Sequence, residues 1–224
     1  MKFSNVLLFA SMALAAPTSQ EKRQASIEKR QGATVVGTIL NAVNTLSTTT
    51  ETNLNQINNI VASIKDNVGG TVTAQVTAQL RANINAIAVA LQDAAVVIST
   101  ATTAALVGVG GQVQALTEQE VQDITTAAQE AIRIVGEISA TLTIIASDLR
   151  PAVNLLLVTE INAVKAAISP FVLPILVFIN AVRTSSASAS VTVTGLTSLL
   201  QNLIPVFTRL LTTLGLPLLG LPRV

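Results

Sequence analysis

Three carboxylates recur every seven residues near the middle of the chain: Asp123, Glu130 and Glu137. Paired carboxylates can serve as a general acid and base, or as ligands of a cation. On a helix, however, consecutive members lie about 10 Å apart along the axis, too far to share one ligand. Arg133 lies at ion-pairing distance along the helix from two of them. We therefore interpret the row as a solvated, ion-paired helix face.

The chain has no histidine and no cysteine. Imidazole and thiolate metal sites, cysteine nucleophiles, histidine bases and disulfides are therefore excluded. A Ser-Lys pair would need Lys65 or Lys165, and neither lies in a recognisable motif. The glycines of residues 108–111 have no preceding strand pattern and no following lysine, so they indicate a turn and not a phosphate loop. We expect a non-enzymatic protein with no cofactor and no catalytic or metal site.

Charge and aromatic content bear on the partners of the chain. Five phenylalanines are the only aromatic residues, so stacking on bases is hardly available. Residues 31–160 carry a net charge of −6, whereas residues 161–224 carry four bases and no acid. An apolar, weakly cationic segment suits an apolar surface or lipid better than nucleic acid. We expect no nucleic-acid partner.

The longest uninterrupted helical pattern lies between Thr117 and Leu149. Apolar residues recur there every three or four positions, which is the period of one helix face. Thr117 can cap the first turn, and Glu120 can close a capping box. Pro151 then removes a backbone donor. Such a helix would measure about 50 Å, so other long helices must lie beside it.

Helical spacing also marks the segments on either side of this helix. One pattern begins at Ala33 and reaches Val68, where Gly69-Gly70 should end it. The Ser47–Thr50 run leaves open whether that pattern forms one helix or two. Further patterns cover residues 76–98 and 153–168.

Ser169-Pro170 is expected to interrupt the last of these patterns. The apolar run Phe171–Val182 contains Pro174 and is short for a membrane span, so we expect a buried helix and no transmembrane span. Together the patterns predict an all-α fold, a bundle of four or five long antiparallel amphipathic helices over residues 31–183, with a C-terminal amphipathic segment.

The first thirty residues are expected to be removed. Residues 1–15 combine a lysine, an apolar run and a small-residue cleavage site, as in a secretory signal peptide. Residues 16–30 contain Glu-Lys-Arg-Gln twice and resemble a propeptide with dibasic processing sites of fungal secreted proteins. Cleavage after Arg23 or Arg30 would leave an N-terminal glutamine in either case.

The C-terminal part begins with a Ser/Ala linker at residues 184–190, followed by an apolar helical segment at residues 191–224. Its apolar stripe supplies the candidate surface-binding residues, which are Leu196, Leu199, Leu203, Phe207, Leu210 and Leu214. Two interpretations remain open. The stripe is either the buried side of a last bundle helix or an interfacial helix that inserts into lipid or another apolar surface.

Two stretches resemble the fungal hydrophobic surface binding protein A family, also called cell wall galactomannoproteins. They are ALTEQEVQDITTAAQEAIRIVGEI at Ala115–Ile138 and EINAVKAAISPFVLPILVFI at Glu160–Ile179. The first resembles the family's leucine-threonine start of a long helix, and the second its later lysine-containing helix that runs into a proline. The resemblance extends over residues 35–182, and the C-terminal extension departs from it. It implies a secreted, non-enzymatic protein of the wall or surface that binds apolar surfaces or lipids.

We therefore expect a secreted protein, extracellular or in the cell wall, that binds hydrophobic surfaces or lipids. A cell wall polysaccharide is a further candidate partner. The alternative is an O-glycosylated structural wall protein, or a secreted effector-like protein, without lipid binding. A hydrolase with an unrecognised site is a third hypothesis. Sugar-shifted mobility without lipid binding would favour the structural alternative.

Overall fold

The computed structural model describes residues 20–66, 73–107, 116–185 and 190–216, and for residues 20–34, 66, 107 and 190–192 it describes the backbone alone. Within these ranges the chain forms five α-helices and no strand, which confirms the predicted all-α bundle. The helices are α1 (Gln20–Asp66), α2 (Ala74–Val107), α3 (Glu118–Asp148), α4 (Pro151–Thr184) and α5 (Ser190–Thr213).

Helix α3 begins and ends where its sequence predicts. The Thr117 hydroxyl accepts a hydrogen bond from the Glu120 backbone N–H, and the Glu120 carboxylate accepts one of 2.7 Å from the Thr117 N–H. This is the predicted capping box, which satisfies two backbone donors at the helix start. Leu149 caps the far end, and Pro151 opens α4 in the first turn, where its missing donor costs little.

Helix α1 passes through the serine and threonine run without a break. The hydroxyls of Thr48 and Thr49 donate to the carbonyls of Asn44 and Thr45 at 3.2 and 3.1 Å. Their side chains are thus satisfied within the helix instead of competing with it. The segment on either side of the serine and threonine run therefore forms one helix and not two. The predicted stop at Gly69-Gly70 lies outside the described residues.

The predicted interruption at Ser169-Pro170 is wrong, because α4 continues through Pro170 and Pro174 to Thr184. An interior proline costs about 3 kcal/mol through a lost hydrogen bond and a clash with the preceding turn. The same turns bury Phe171 and Phe178 almost completely. Burial of one large apolar side chain contributes about 1.5–3 kcal/mol, so packing offsets the cost of the prolines.

Contacts between the helices fix the arrangement of the bundle. Helix α1 packs on α2 and α3, α2 packs on α4, and α5 contacts both α3 and α4. Lys65 near the end of α1 binds Asp148 at the end of α3, while Ser47, earlier in α1, binds Glu130 in α3. Helices α1 and α3 are therefore parallel neighbours, although successive helices in the chain are antiparallel.

Helices α2 and α4 are related in the same way. Arg81 in the first third of α2 binds Glu160 in the first third of α4, with 2.8 Å between Nε and Oε1. Farther along, residues 95–106 of α2 lie beside residues 170–177 of α4. The bundle thus consists of two side-by-side hairpins, α1–α2 and α3–α4, joined by a core to which all five helices contribute.

Two of the described helices are long and apolar enough to cross a membrane on length and composition alone: α2 and α4. In the bundle, 39% of the most apolar window of α2 and 44% of that of α4 are buried. Core helices of a bundle pass the same test. The expectation that no segment spans a membrane stays a prediction.

Candidate functional site

The candidate surface-binding stripe forms the inner side of α5. Leu196 and Phe207 are fully buried, Leu199, Leu203 and Leu214 are at most 8% exposed, and Leu210 is half-buried against the core. The structure brings the five residues from Leu196 to Leu210 together on one face of α5, a helix that contacts α3 and α4, and Leu214 follows in the turn just after the helix. In the folded bundle the buried members cannot reach an external surface, and Leu210 alone of the six stays partly exposed. Adsorption through them would require α5 to separate from its neighbours.

The two processing candidates lie in the first turns of α1. Arg23 and Arg30 are both within the helical backbone that begins at Gln20, and their side chains lie outside the described part. Proteolysis favours exposed, irregular backbone. Cleavage after either arginine would therefore require the start of α1 to unwind. Among the side chains that the structure describes, Val35 is the first that belongs to the core, and it follows both cleavage sites.

The acidic row of α3 is joined to α1 by one arginine. The Arg133 guanidinium donates to Glu130 at 2.6 Å and to Glu137, as the helical spacing predicts, and also reaches Glu51 of α1 at 2.7 Å. Asp123 stands apart and accepts from Gln119. No group of three or more potential metal ligands is arranged around an ion site within the described residues.

Hydrogen bonding and charge shift two pKa values in this cluster. The hydrogen bond from Arg133 and a weaker one from Ser47, 2.6 Å from Glu130, lower the pKa of the Glu130 carboxyl below its ordinary value, against an opposing effect of partial burial. The carboxylates in turn raise the pKa of Arg133. Both shifts favour the charged forms of Glu130 and Arg133, which suits a fixed ion pair and not proton transfer.

An open groove of about 580 Å³ lies between α2 and α4. None of its lining residues is charged, and its walls combine small, branched and hydroxyl side chains with the two prolines of α4. The lining residues are Ala95, Val96, Ser99, Thr100, Thr102, Thr103, Leu106, Pro170, Leu173, Pro174 and Val177.

Exposed apolar side chains extend this groove onto the surface. Val96 is 65% exposed, and Val97 and Val177 are each more than 40% exposed. Leu155 and Leu156 are also exposed, but they lie near the start of α4, about 20 Å along the helix from the groove. Exposed valines beside an open, uncharged groove are typical of a surface that binds apolar matter.

Sequence reasoning missed this groove. The available signal was the pair of uncharged stretches, residues 94–107 and 166–182, which line it from both sides. Their adjacency could not be inferred because they lie on helices that are not consecutive in the chain.

Comparison of the chain with protein-family models, with curated proteins and with solved structures finds no match in any of the three. The fold and the side-chain geometry therefore carry the functional argument alone.

Proposed function

We propose that the chain is a secreted, non-enzymatic protein that binds hydrophobic surfaces or lipids through the outer face of α2 and α4. The observation that carries this proposal is the uncharged groove between these helices, flanked by exposed valines. Apolar area removed from water contributes about 25 cal/mol per Å² to binding. With no charged group to desolvate in the groove, that gain is not opposed by the cost of burying a charge.

The threonines and serines of the groove suit an amphiphile better than a bare hydrocarbon. Thr102 is buried and donates to the Ser99 carbonyl, whereas Thr100 and Thr103 are exposed at the rim. Exposed hydroxyls can hydrogen-bond a polar headgroup while the apolar walls contact its chain. A neutral lipid, or an apolar solid surface that is in contact with water, matches this mixture of apolar and hydroxyl side chains.

Location at the cell exterior or in the cell wall is part of the proposal and rests on the N-terminal sequence features. The alternative function, an O-glycosylated structural wall protein or an effector-like protein without lipid binding, draws on the exposed hydroxyls that line α1 and α2. Thr45, Thr48, Thr52, Thr100 and Thr103 are all exposed. Sugar-shifted mobility without adsorption would favour it.

Adsorption of the secreted protein to phosphatidylcholine vesicles and to Teflon beads tests the proposal. Val96→Asp combined with Val177→Asp should lower the adsorption constant at least about fivefold, since each change removes apolar contact area and adds a charge that must be desolvated. Val206→Asp on α5 is the matched control, because Val206 is 48% exposed and lies outside the groove. Equal adsorption of the wild type and the double variant would contradict the proposal.

A further inference from the structure

A second groove, of about 400 Å³, lies on the other side of the bundle between the parallel helices α1 and α3. Glu51 and Glu137 line it at one end, and Asn58 and Ile144 at the other. Each helix advances by seven residues between these ends, so the groove extends about 10 Å along the helix axes. Leu54 and Ala140 are among the residues that line it in between.

Negative charge is in excess at the acidic end. Arg133 is the one cation that contacts Glu51, Glu130 and Glu137 among the described residues, so three carboxylates face a single guanidinium. Glu51 and Glu137 each use Oε1 for Arg133. Both side chains are about half exposed, at 50% and 41%, and can still accept hydrogen bonds from a ligand.

An unused hydroxyl lies beside these carboxylates. Thr141 lines the groove, is 4% exposed, and makes no hydrogen bond within the part of the chain that the structure describes. Thr125 and Thr143 in the same helix instead donate to the carbonyl four residues earlier. The Thr141 oxygen is not among the fully enclosed unpaired atoms of the described residues, so it opens to the groove, where a polar ligand atom can bond it.

We propose that this groove binds a primary aliphatic ammonium ion. Its three N–H donors match three acceptors, the carboxylates of Glu51 and Glu137 and the hydroxyl of Thr141. Its alkyl chain lies along Leu54, Ala140 and Ile144 towards the far end. Binding at this site depends on positive charge, whereas the α2/α4 groove has an uncharged lining. An experiment can therefore refute one of the two proposals without affecting the other.

Isothermal titration of the full chain with octylammonium, 1-octanol and octanoate, each below its aggregation concentration, tests the assignment. Octylammonium should bind most tightly. Glu51→Gln with Glu137→Gln should weaken it about tenfold, because charge-assisted hydrogen bonds become neutral ones. The control is Glu118→Gln with Asp123→Asn, which removes the same charge from the start of α3, away from the groove lining. An equal loss in the control would overturn the proposal, as would tighter binding of 1-octanol.

Three further variants leave every charge in place. Ala140→Leu fills the groove from an exposed position and should abolish octylammonium binding while helicity and vesicle adsorption stay unchanged. Thr141→Val should weaken binding about threefold, and Thr141→Ser should restore it, if the hydroxyl accepts from the ligand. Undiminished octylammonium binding by Ala140→Leu would place the ligand elsewhere and overturn the assignment.

Discussion

Helix pair α1/α3 and helix pair α2/α4 have the same geometry and opposite chemistry. Both are parallel neighbours within one bundle, and both leave an open groove between them. The α1/α3 groove is bordered by an ion network around Arg133. The α2/α4 groove is uncharged along its whole lining, and the Arg81–Glu160 pair lies outside it.

This difference shows that the bundle separates its polar and apolar exteriors by helix pair. The core contains buried side chains from every helix, so it does not require either exterior. The chain could have alternated charge over both outer faces, as surface helices usually do. It leaves the groove between residues 95–106 of α2 and 170–177 of α4 free of charge instead, which is the physical basis for proposing that groove as the contact with apolar matter.

Both helix pairs rest on one core that α5 completes, so a charge buried in α5 should cause the largest loss of stability. Phe207 is fully buried and its neighbour Val206 is 48% exposed. Phe207→Asp should lower the free energy of unfolding by about 4 kcal/mol or more, since it removes a large apolar side chain and buries an unpaired charge. Val206→Asp should cost less than about 1 kcal/mol. Urea unfolding followed by circular dichroism measures both.

Similar stabilities of the two variants would mean that α5 is not part of the core. Removal of residues 191–224 provides an independent check. It should uncover the α5-facing sides of α3 and α4 and promote aggregation. A truncated protein that remains folded and soluble would restore the interpretation of α5 as a detachable surface helix.

The sequence predicted the helices better than it predicted their neighbours. Periodicity and capping chemistry located α3 within one residue, because Thr117, Glu120 and Pro151 act locally. The interruption predicted at Pro170 was wrong because the local free-energy cost of a proline does not show that distant helices will bury Phe171 and Phe178. Neither groove was predictable, since each depends on pairing of helices about eighty residues apart in the chain, as in the Arg81–Glu160 contact.

A smaller effect should follow from removing the charge that joins α1 to α3. Arg133→Met should destabilise the protein by about 1 kcal/mol at neutral pH, because pairs that are partly exposed to solvent are each worth only about 0.2–1 kcal/mol. Arg209→Met is the matched control, since Arg209 is exposed on α5 and forms no ion pair among the described residues.

The stability gap between wild type and Arg133→Met should also depend on pH. The pKa of Glu130 is lowered in the folded state, so its contribution is present above its ordinary value of 4.5 and is lost as the pH falls through the folded pKa. The gap should therefore narrow in acid, whereas that of the Arg209 variant should not. A gap that stays constant from pH 7 to about pH 3 would argue against the network as its source.

The smallest expected effect tests the parallel direction of α1 and α3 itself. Lys65 is 66% exposed and lies 3.2 Å from Asp148, so Lys65→Glu should cost little stability through the new like-charge contact. Asp148→Lys would be stabilised by the helix dipole at the end of α3 whatever its partner.

The coupling energy between positions 65 and 148, obtained from the two single variants and the double variant, cancels that dipole effect. A favourable coupling that weakens in high salt is expected if the two helix ends are adjacent. If α1 and α3 were antiparallel, Lys65 would lie near the start of α3, about 45 Å from Asp148, and the coupling would be zero.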